Sequence, residues 1–213
     1  MGQQIETRAL VGARVRQGRA MLESDFLLFR ASGANEQAPR VKVLFRDIRS
    51  LKAGDGWLRI RHAGGMLDLE LGPRAEQWAE KIRSPRSRMQ KLGVADGARV
   101  SLAGPVDEEF REELGAQRCE ITEGTPARGA ALIFFGAESR SDLSRVKPLA
   151  KRLAPDGTLW VIYPKGQKHI TENDVLATGR AAKLTDIKVV GFSPTHTALK
   201  FVIPLAKRKQ HKL

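Results

Sequence analysis

The chain is poor in sulfur and aromatics and has no long apolar stretch. A single cysteine, Cys119, among 213 residues excludes an intrachain disulfide and any cysteine-rich zinc cluster. The four histidines, His62, His169, His196 and His211, are too scattered for a metal-ligand spacing, so no metal site is expected. The longest apolar run, residues 130–135, falls far short of the ~20 residues that span a bilayer. Residues 1–10 are polar and charged, without the apolar segment of a secretory signal. A reducing, cytoplasmic setting is the expectation. Nucleophile-elbow, P-loop and paired-carboxylate motifs are missing as well. What is present is an ordinary globular composition, 41% hydrophobic, long enough for one large or two small domains.

The formal charge of +13 is unevenly placed. Residues 1–91 carry 18 Lys+Arg and 10 Asp+Glu, giving +8; residues 92–213 carry 19 and 14, giving +5. Of that +5, the tail residues Lys207, Arg208, Lys209 and Lys212 supply four. A basic first half and a basic tail can attract nucleic acid, an anionic ligand or an acidic protein partner.

Residues 20–71 show short strands separated by turn residues. The clearest piece is a hairpin of 57–62 and 66–71 around Gly64-Gly65. That turn sets Arg61 opposite Asp68 and Arg59 opposite Glu70, and pairs Ile60 with Leu69 and Leu58 with Leu71. Upstream, 18–23 and 26–30 form a second hairpin around Ser24-Asp25. Val41, Val43 and Phe45 alternate along a further strand, Gly54-Asp55-Gly56 turns the chain, and 31–39 is a loop. After Pro73 the period changes: Ala75, Trp78, Ala79 and Ile82 form one helical stripe, ended by Ser84-Pro85. The expectation is a small antiparallel β barrel or sheet with a C-terminal helix over residues 1–84. The architecture, with the runs Phe26-Leu27-Leu28-Phe29-Arg30 and Asp47-Ile48-Arg49-Ser50, resembles pleckstrin-homology (PH) or GRAM modules. That resemblance implies a module binding phosphoinositides, peptides or proteins.

Residues 85–97 read as a basic linker carrying the short element Lys91-Leu92-Gly93-Val94. From 98 to 204 strands and helices alternate. Strands are expected at 99–103, 119–122, 130–135, 158–163, 187–192 and 198–203. Helices are expected at 107–114, at 141–153 with a bend or start at Pro148, and at 171–183 behind a Thr171/Asp174 capping box. Pro155-Asp156-Gly157 is the expected turn before 158. The pattern gives an α/β, Rossmann-like, mostly parallel sheet closed by an antiparallel hairpin. Residues 205–213 form the basic tail.

The stretch Leu153-Ala154-Pro155-Asp156-Gly157-Thr158-Leu159-Trp160-Val161 and the closing hairpin resemble S-adenosylmethionine (SAM) methyltransferases, with one βα unit missing between 119 and 130. Lys91-Leu92-Gly93-Val94, residues 156–165 and Lys200-Phe201-Val202 further resemble a bacterial family of methyltransferase-like domains of unknown function. That second resemblance implies no particular activity.

The methyltransferase resemblance implies a glycine-rich turn after the first strand. Here Gly104 matches the first glycine, but Pro105 follows it and Val106 and Glu108 occupy the next two glycine positions. Proline and valine are unsuited to positive φ, and Asp107, Glu108 and Glu109 disfavour a phosphate. SAM is therefore possible but not expected. The crevice rule for open α/β sheets nominates Gly104, Glu123, Phe135, Gly136, Tyr163 and Lys165 as ligand-binding candidates. Tyr163 (the only tyrosine), Lys165 and His196 are the catalytic candidates, His196 lying among the hydroxyls of Ser193, Thr195 and Thr197.

Three readings follow. The first is a non-enzymatic or regulatory binding protein with a degenerate methyltransferase-like domain. The second is a small-molecule enzyme, SAM-dependent or with an altered pocket. The third is nucleic-acid binding through residues 1–91 and the tail.

Overall fold

The computed structural model describes residues 2–33 and 40–208. Contacts divide the chain into two compact units, residues 1–86 and 87–213.

The first unit is a seven-stranded sheet of β1 (Gln3–Val11), β2 (Arg14–Leu22), β3 (Phe26–Ala31), β4 (Arg40–Leu44), β5 (Ile48–Gly54), β6 (Trp57–His62) and β7 (Gly65–Glu70), followed by helix α1 (Arg74–Arg83). Every pairing is antiparallel, in the order β4-β3-β2-β1-β7-β6-β5. The stripe expected on the helix is the one buried: Ala75, Trp78, Ala79 and Ile82. It packs with Leu27, Phe29, Leu58, Ile60, Leu67 and Leu69 into one core, where each large side chain contributes roughly 1.5–3 kcal/mol of burial.

Strand β1 is an addition to the sequence reading. Its inward positions include the small residues Thr7 and Ala9, and its outward positions Gln4, Glu6 and Arg8 are exposed. The alternation is therefore hidden under a polar composition. The β6–β7 hairpin keeps its expected faces but turns one residue earlier, which shifts each cross-strand partner by two. His62 lies opposite Gly65, so Ala63-Gly64 makes the turn, and Arg59 faces Asp68 while Arg61 faces Met66. Leu58 pairs with Leu69 and Ile60 with Leu67. A two-residue shift preserves which side chains face the core, so hydrophobic alternation alone could not fix it. The Gly64 N–H donates to His62 Nδ1 at 3.1 Å, tying the turn down. Most of the expected loop 31–39 lies outside the described residues, and Ala31 itself ends β3.

The second unit begins with α2 (Arg88–Leu92). Its Ser87–Gln90 capping box and left-handed Gly93 C-cap define both ends. Met89, Leu92 and Val94 are buried in this unit's core, so the stretch expected as linker contributes packing. A six-stranded sheet follows, made of β8 (Arg99–Ala103), β9 (Glu120–Glu123), β10 (Ala130–Gly136), β11 (Leu153–Pro164), β12 (Thr185–Gly191) and β13 (His196–Val202). Its order is β12-β13-β11-β10-β8-β9. The four strands β9, β8, β10 and β11 are parallel, and β13 and β12 close the sheet antiparallel.

One face packs under α2 and α3 (Glu108–Ala116) through Phe110, Phe134, Trp160 and Phe192. The other packs under α4 (Val146–Ala150) and α5 (Glu172–Ala181) through Ile133, Phe135, Leu159, Val161 and Phe201. Two expectations change. The helix expected over 141–153 is a 3-10 turn, Asp142–Arg145, followed by the short α4. Pro148 sits in the first turn of α4, where its missing N–H costs nothing. The turn expected at 155–157 lies within β11 as an irregularity, where Ala130 pairs with Leu153 but Leu132 with Thr158.

Candidate functional site

Strand order reverses at β8. The chain steps from β8 to β9 on one side and then to β10 on the other. In open α/β sheets the ligand crevice lies beyond the carboxyl ends at such a point. Gly104, Glu123, Phe135, Gly136, Tyr163, Lys165 and His196 all lie at this end of the sheet.

Gly104 has the positive φ, +77°, of a tight turn out of β8. That turn lies directly on the end of β10. A Cβ on Gly104 would stand 2.5 Å from the Gly136 carbonyl oxygen. A Cβ on Gly136 would overlap the Pro105 carbonyl oxygen and come 2.7 Å from its carbon. The space beside the two strand ends is thus filled by the protein's own backbone. Phe135 is fully buried, with the Arg145 guanidinium 5.2 Å from its ring centroid. Arg145, which also borders Gly104, was not foreseen, because no motif marks it.

The acidic residues around this turn have internal partners. Asp107 caps α3, accepting from the Phe110 N–H at 2.7 Å. It also faces Arg88 at 3.3 Å. Arg88 is only 10% exposed and reaches Glu113 at 2.8 Å. Its guanidinium lies 5.3 and 4.9 Å from the ring centroids of Phe110 and Phe192. The start of α3 therefore carries its own anion. Glu123, at the end of β9, is ion-paired with Arg111.

Tyr163 is buried, and its hydroxyl donates to Glu172 at 3.3 Å. Burial first, then the Glu172 carboxylate, pushes its pKa well above the usual phenol range. It stays a neutral donor at neutral pH. Lys165 Nζ donates to the Ser193 carbonyl at 2.6 Å. His196 Nε2 lies 3.2 Å from Glu138 Oε1 and its Nδ1 lies 2.9 Å from Thr195 Oγ1. Glu138 follows β10, so the fold brings it to a histidine 58 residues away. With the proton on Nε2, the imidazole is oriented by a carboxylate and accepts from a hydroxyl. Elsewhere in this unit, burial raises the Cys119 thiol pKa, which disfavours a reactive thiolate.

The motifs behind the family resemblance are joined by packing. Trp160 Nε1–H donates to the Leu92 carbonyl at 3.1 Å, and Lys200 Nζ lies 5.8 Å from the Trp160 ring. Two clefts open at the opposite, amino-terminal end of the sheet. One, of about 390 Å3, is lined by Arg128, Lys147, Pro148, Lys151 and Arg152. The other, of about 410 Å3, is lined by Ala150, Leu184 and Ile203 together with Lys147, Lys151, Lys183 and Lys207.

No family model matches the chain, and no curated protein sequence matches it. Among solved structures it is similar to the N-terminal PH domain of human ARAP2 protein, at TM-score 0.30 and 12% identity, covering 40% of this chain and 84% of that one. It is similar to a SAM-dependent methyltransferase from Aquifex aeolicus, at TM-score 0.36 and 16% identity, covering 55% and 87%. It is also similar to a SAM-dependent O-methyltransferase from Thermotoga maritima, at TM-score 0.36 and 12% identity, covering 85% and 94%. Likenesses of this strength assign no activity to this chain. No helix among the described residues is long and apolar enough to cross a membrane.

Proposed function

We propose that the chain is a non-enzymatic or regulatory binding protein. In this reading an interaction module, residues 1–84, is joined to a methyltransferase-like domain, 98–204, that does not take an adenosyl cofactor. The observation carrying the reading is the 104–105 turn laid against Gly136. An adenosyl group needs backbone to approach it closely at that turn, and here the backbone approaches β10 instead. Glu123, the ligand-binding candidate at the end of β9, is held by Arg111. The residues present do not fit SAM.

The test is a thermal-shift series with SAM and S-adenosylhomocysteine, backed by calorimetry. A ligand at roughly 100 times its Kd stabilises its protein by about 2.7 kcal/mol, which raises Tm measurably. No shift and no heat are expected. A stoichiometric complex would sink the reading.

The Glu138–His196–Thr195 contacts favour a second reading, a small-molecule enzyme using His196 with Tyr163 and Lys165. It predicts that, when the thermal-shift series is extended to a library of acidic metabolites, one of them raises Tm and Lys165→Ala removes the rise. A screen silent across such ligands counts against it.

A further inference from the structure

The outward face of β2, β3 and β4 carries charge of one sign. On that face stand Arg19, Arg30, Arg40 and Lys42, with no acidic residue in the three strands; Arg14 and Arg16 alternate onto the other face, with Gly18 and Ala20. Pairing register makes the pattern sharper. Arg19 lies directly opposite Arg30, and Arg30 directly opposite Arg40. Three arginines therefore stand in one row across adjacent strands, about 4.8 Å apart from strand to strand. A single carboxylate, Glu6 on β1, ends the row, opposite Arg19 and 2.7 Å from its Nε. Arg30 and Arg40 are exposed and form no ion pair with a described residue. Lys42 lies beside the row with its Nζ 4.2 Å from the Phe26 ring centroid.

Like charges directly opposite each other destabilise a sheet. Elsewhere in this unit opposed cations have an acid at hand: Lys52 lies opposite Arg59, but Arg59 also faces Asp68, and Arg8 is ion-paired with Glu70. The arginine row therefore costs the fold free energy that a bound polyanion would return. We infer that the β2–β4 face binds the phosphate backbone of a nucleic acid. A line of regularly spaced guanidiniums suits a linear polyanion better than one compact headgroup, and guanidinium suits phosphate oxygens bidentately. Phe26 is the only aromatic on this side of the three strands, and Lys42 stands over its ring, so no row of stacking platforms is offered. Binding through phosphates alone is sequence-tolerant and salt-sensitive. The inference is independent of the cofactor question in the second unit.

The experiment measures fluorescence anisotropy of a labelled oligothymidylate and of a labelled duplex with the full chain across a salt series. Four phosphate contacts, from Arg19, Arg30, Arg40 and Lys42, give a single-strand affinity that falls roughly 50-fold between 50 and 200 mM salt. Arg30→Glu should weaken binding at least tenfold at low salt while leaving Tm unchanged or higher, because it places opposite charge between Arg19 and Arg40. Arg30→Gln should do both to a smaller degree and covers failure of the first variant to fold. Loss of binding with raised Tm separates a ligand face from a structural role. Several results would overturn the inference: no oligonucleotide binding at low salt, binding insensitive to salt, or capture by phosphatidylglycerol vesicles in place of nucleic acid. So would binding that survives Arg30→Glu but is lost on removing residues 205–213 or in Lys147→Glu/Lys151→Glu.

Discussion

The carboxyl end of the second unit's sheet and the outer face of the first unit's sheet handle polar groups in opposite ways. At the former, the charged side chains have internal partners. Glu123 is held by Arg111, Asp107 by Arg88 and the α3 backbone, Lys165 by Ser193, and His196 by Glu138 and Thr195. On the β2–β4 face the guanidiniums of Arg30 and Arg40 oppose each other. Satisfied polar groups give a folded unit nothing to gain from a ligand. Unmatched ones leave electrostatic free energy available to a partner. The difference teaches where binding should be sought: on the sheet whose charges do not close among themselves.

The contrast breaks most severely at Gly136. If the β8 turn is a structural plug, Gly136→Ala must displace the Pro105 carbonyl, because the added Cβ meets backbone rather than a side chain that could rotate away. Overpacking against backbone is expected to cost about 3 kcal/mol, the upper end of the usual range. Urea denaturation of the full chain should show the second unit's transition at clearly lower urea. A variant as stable as the parent would mean that the turn moves freely, and the crevice would again be open to an adenosyl ligand.

Arg88 gives the next largest effect. Its side chain is nine-tenths buried between two rings, with carboxylates of Asp107 and Glu113 that are each 35% exposed. Arg88→Met keeps the stem packing and leaves two acids uncompensated. A fully buried pair broken this way costs ~3–5 kcal/mol; with partners this exposed, about 2 kcal/mol is expected, read as a fall in the urea midpoint. A loss below about 0.5 kcal/mol, the scale of a surface pair, would show that the acids at α3 do not depend on it.

These residues also mark what the sequence could reveal. The Ala75/Trp78/Ala79/Ile82 stripe, β8 and the Thr171/Asp174 capping box were legible because periodicity and capping are local. The backbone of the 104–108 turn was legible too: Gly104 takes the positive φ, and Pro105, Val106 and Glu108 do not. Arg88 and Glu138 were not, because their partners lie as far as 104 and 58 residues away. The arginine row was invisible for a related reason. Arg19, Arg30 and Arg40 become neighbours only through register, and register in the β6–β7 hairpin already differed from expectation by two residues.

The smallest effect tests whether a local motif keeps its full value inside this fold. Thr171 Oγ1 accepts from the Asp174 N–H at 3.3 Å and donates to Asp174 Oδ2 at 2.7 Å. Thr171→Ala should cost about 1 kcal/mol at neutral pH, as loss of a helix N-cap does. The cost should depend on pH. The Thr171 hydroxyl, then the Thr171 backbone N–H and Arg140, hold the Asp174 carboxyl below the ordinary aspartate range, which lies near about 3.9. A lowered folded-state value means that the carboxylate adds stability above that range and loses it as pH falls through the folded value. Part of Thr171's contribution goes through that carboxylate, so the gap between parent and variant should narrow in acid. Urea melts at pH 7 and near pH 3 measure both gaps. A gap unchanged between them would assign the whole effect to the acceptor bond and none to the charged partner.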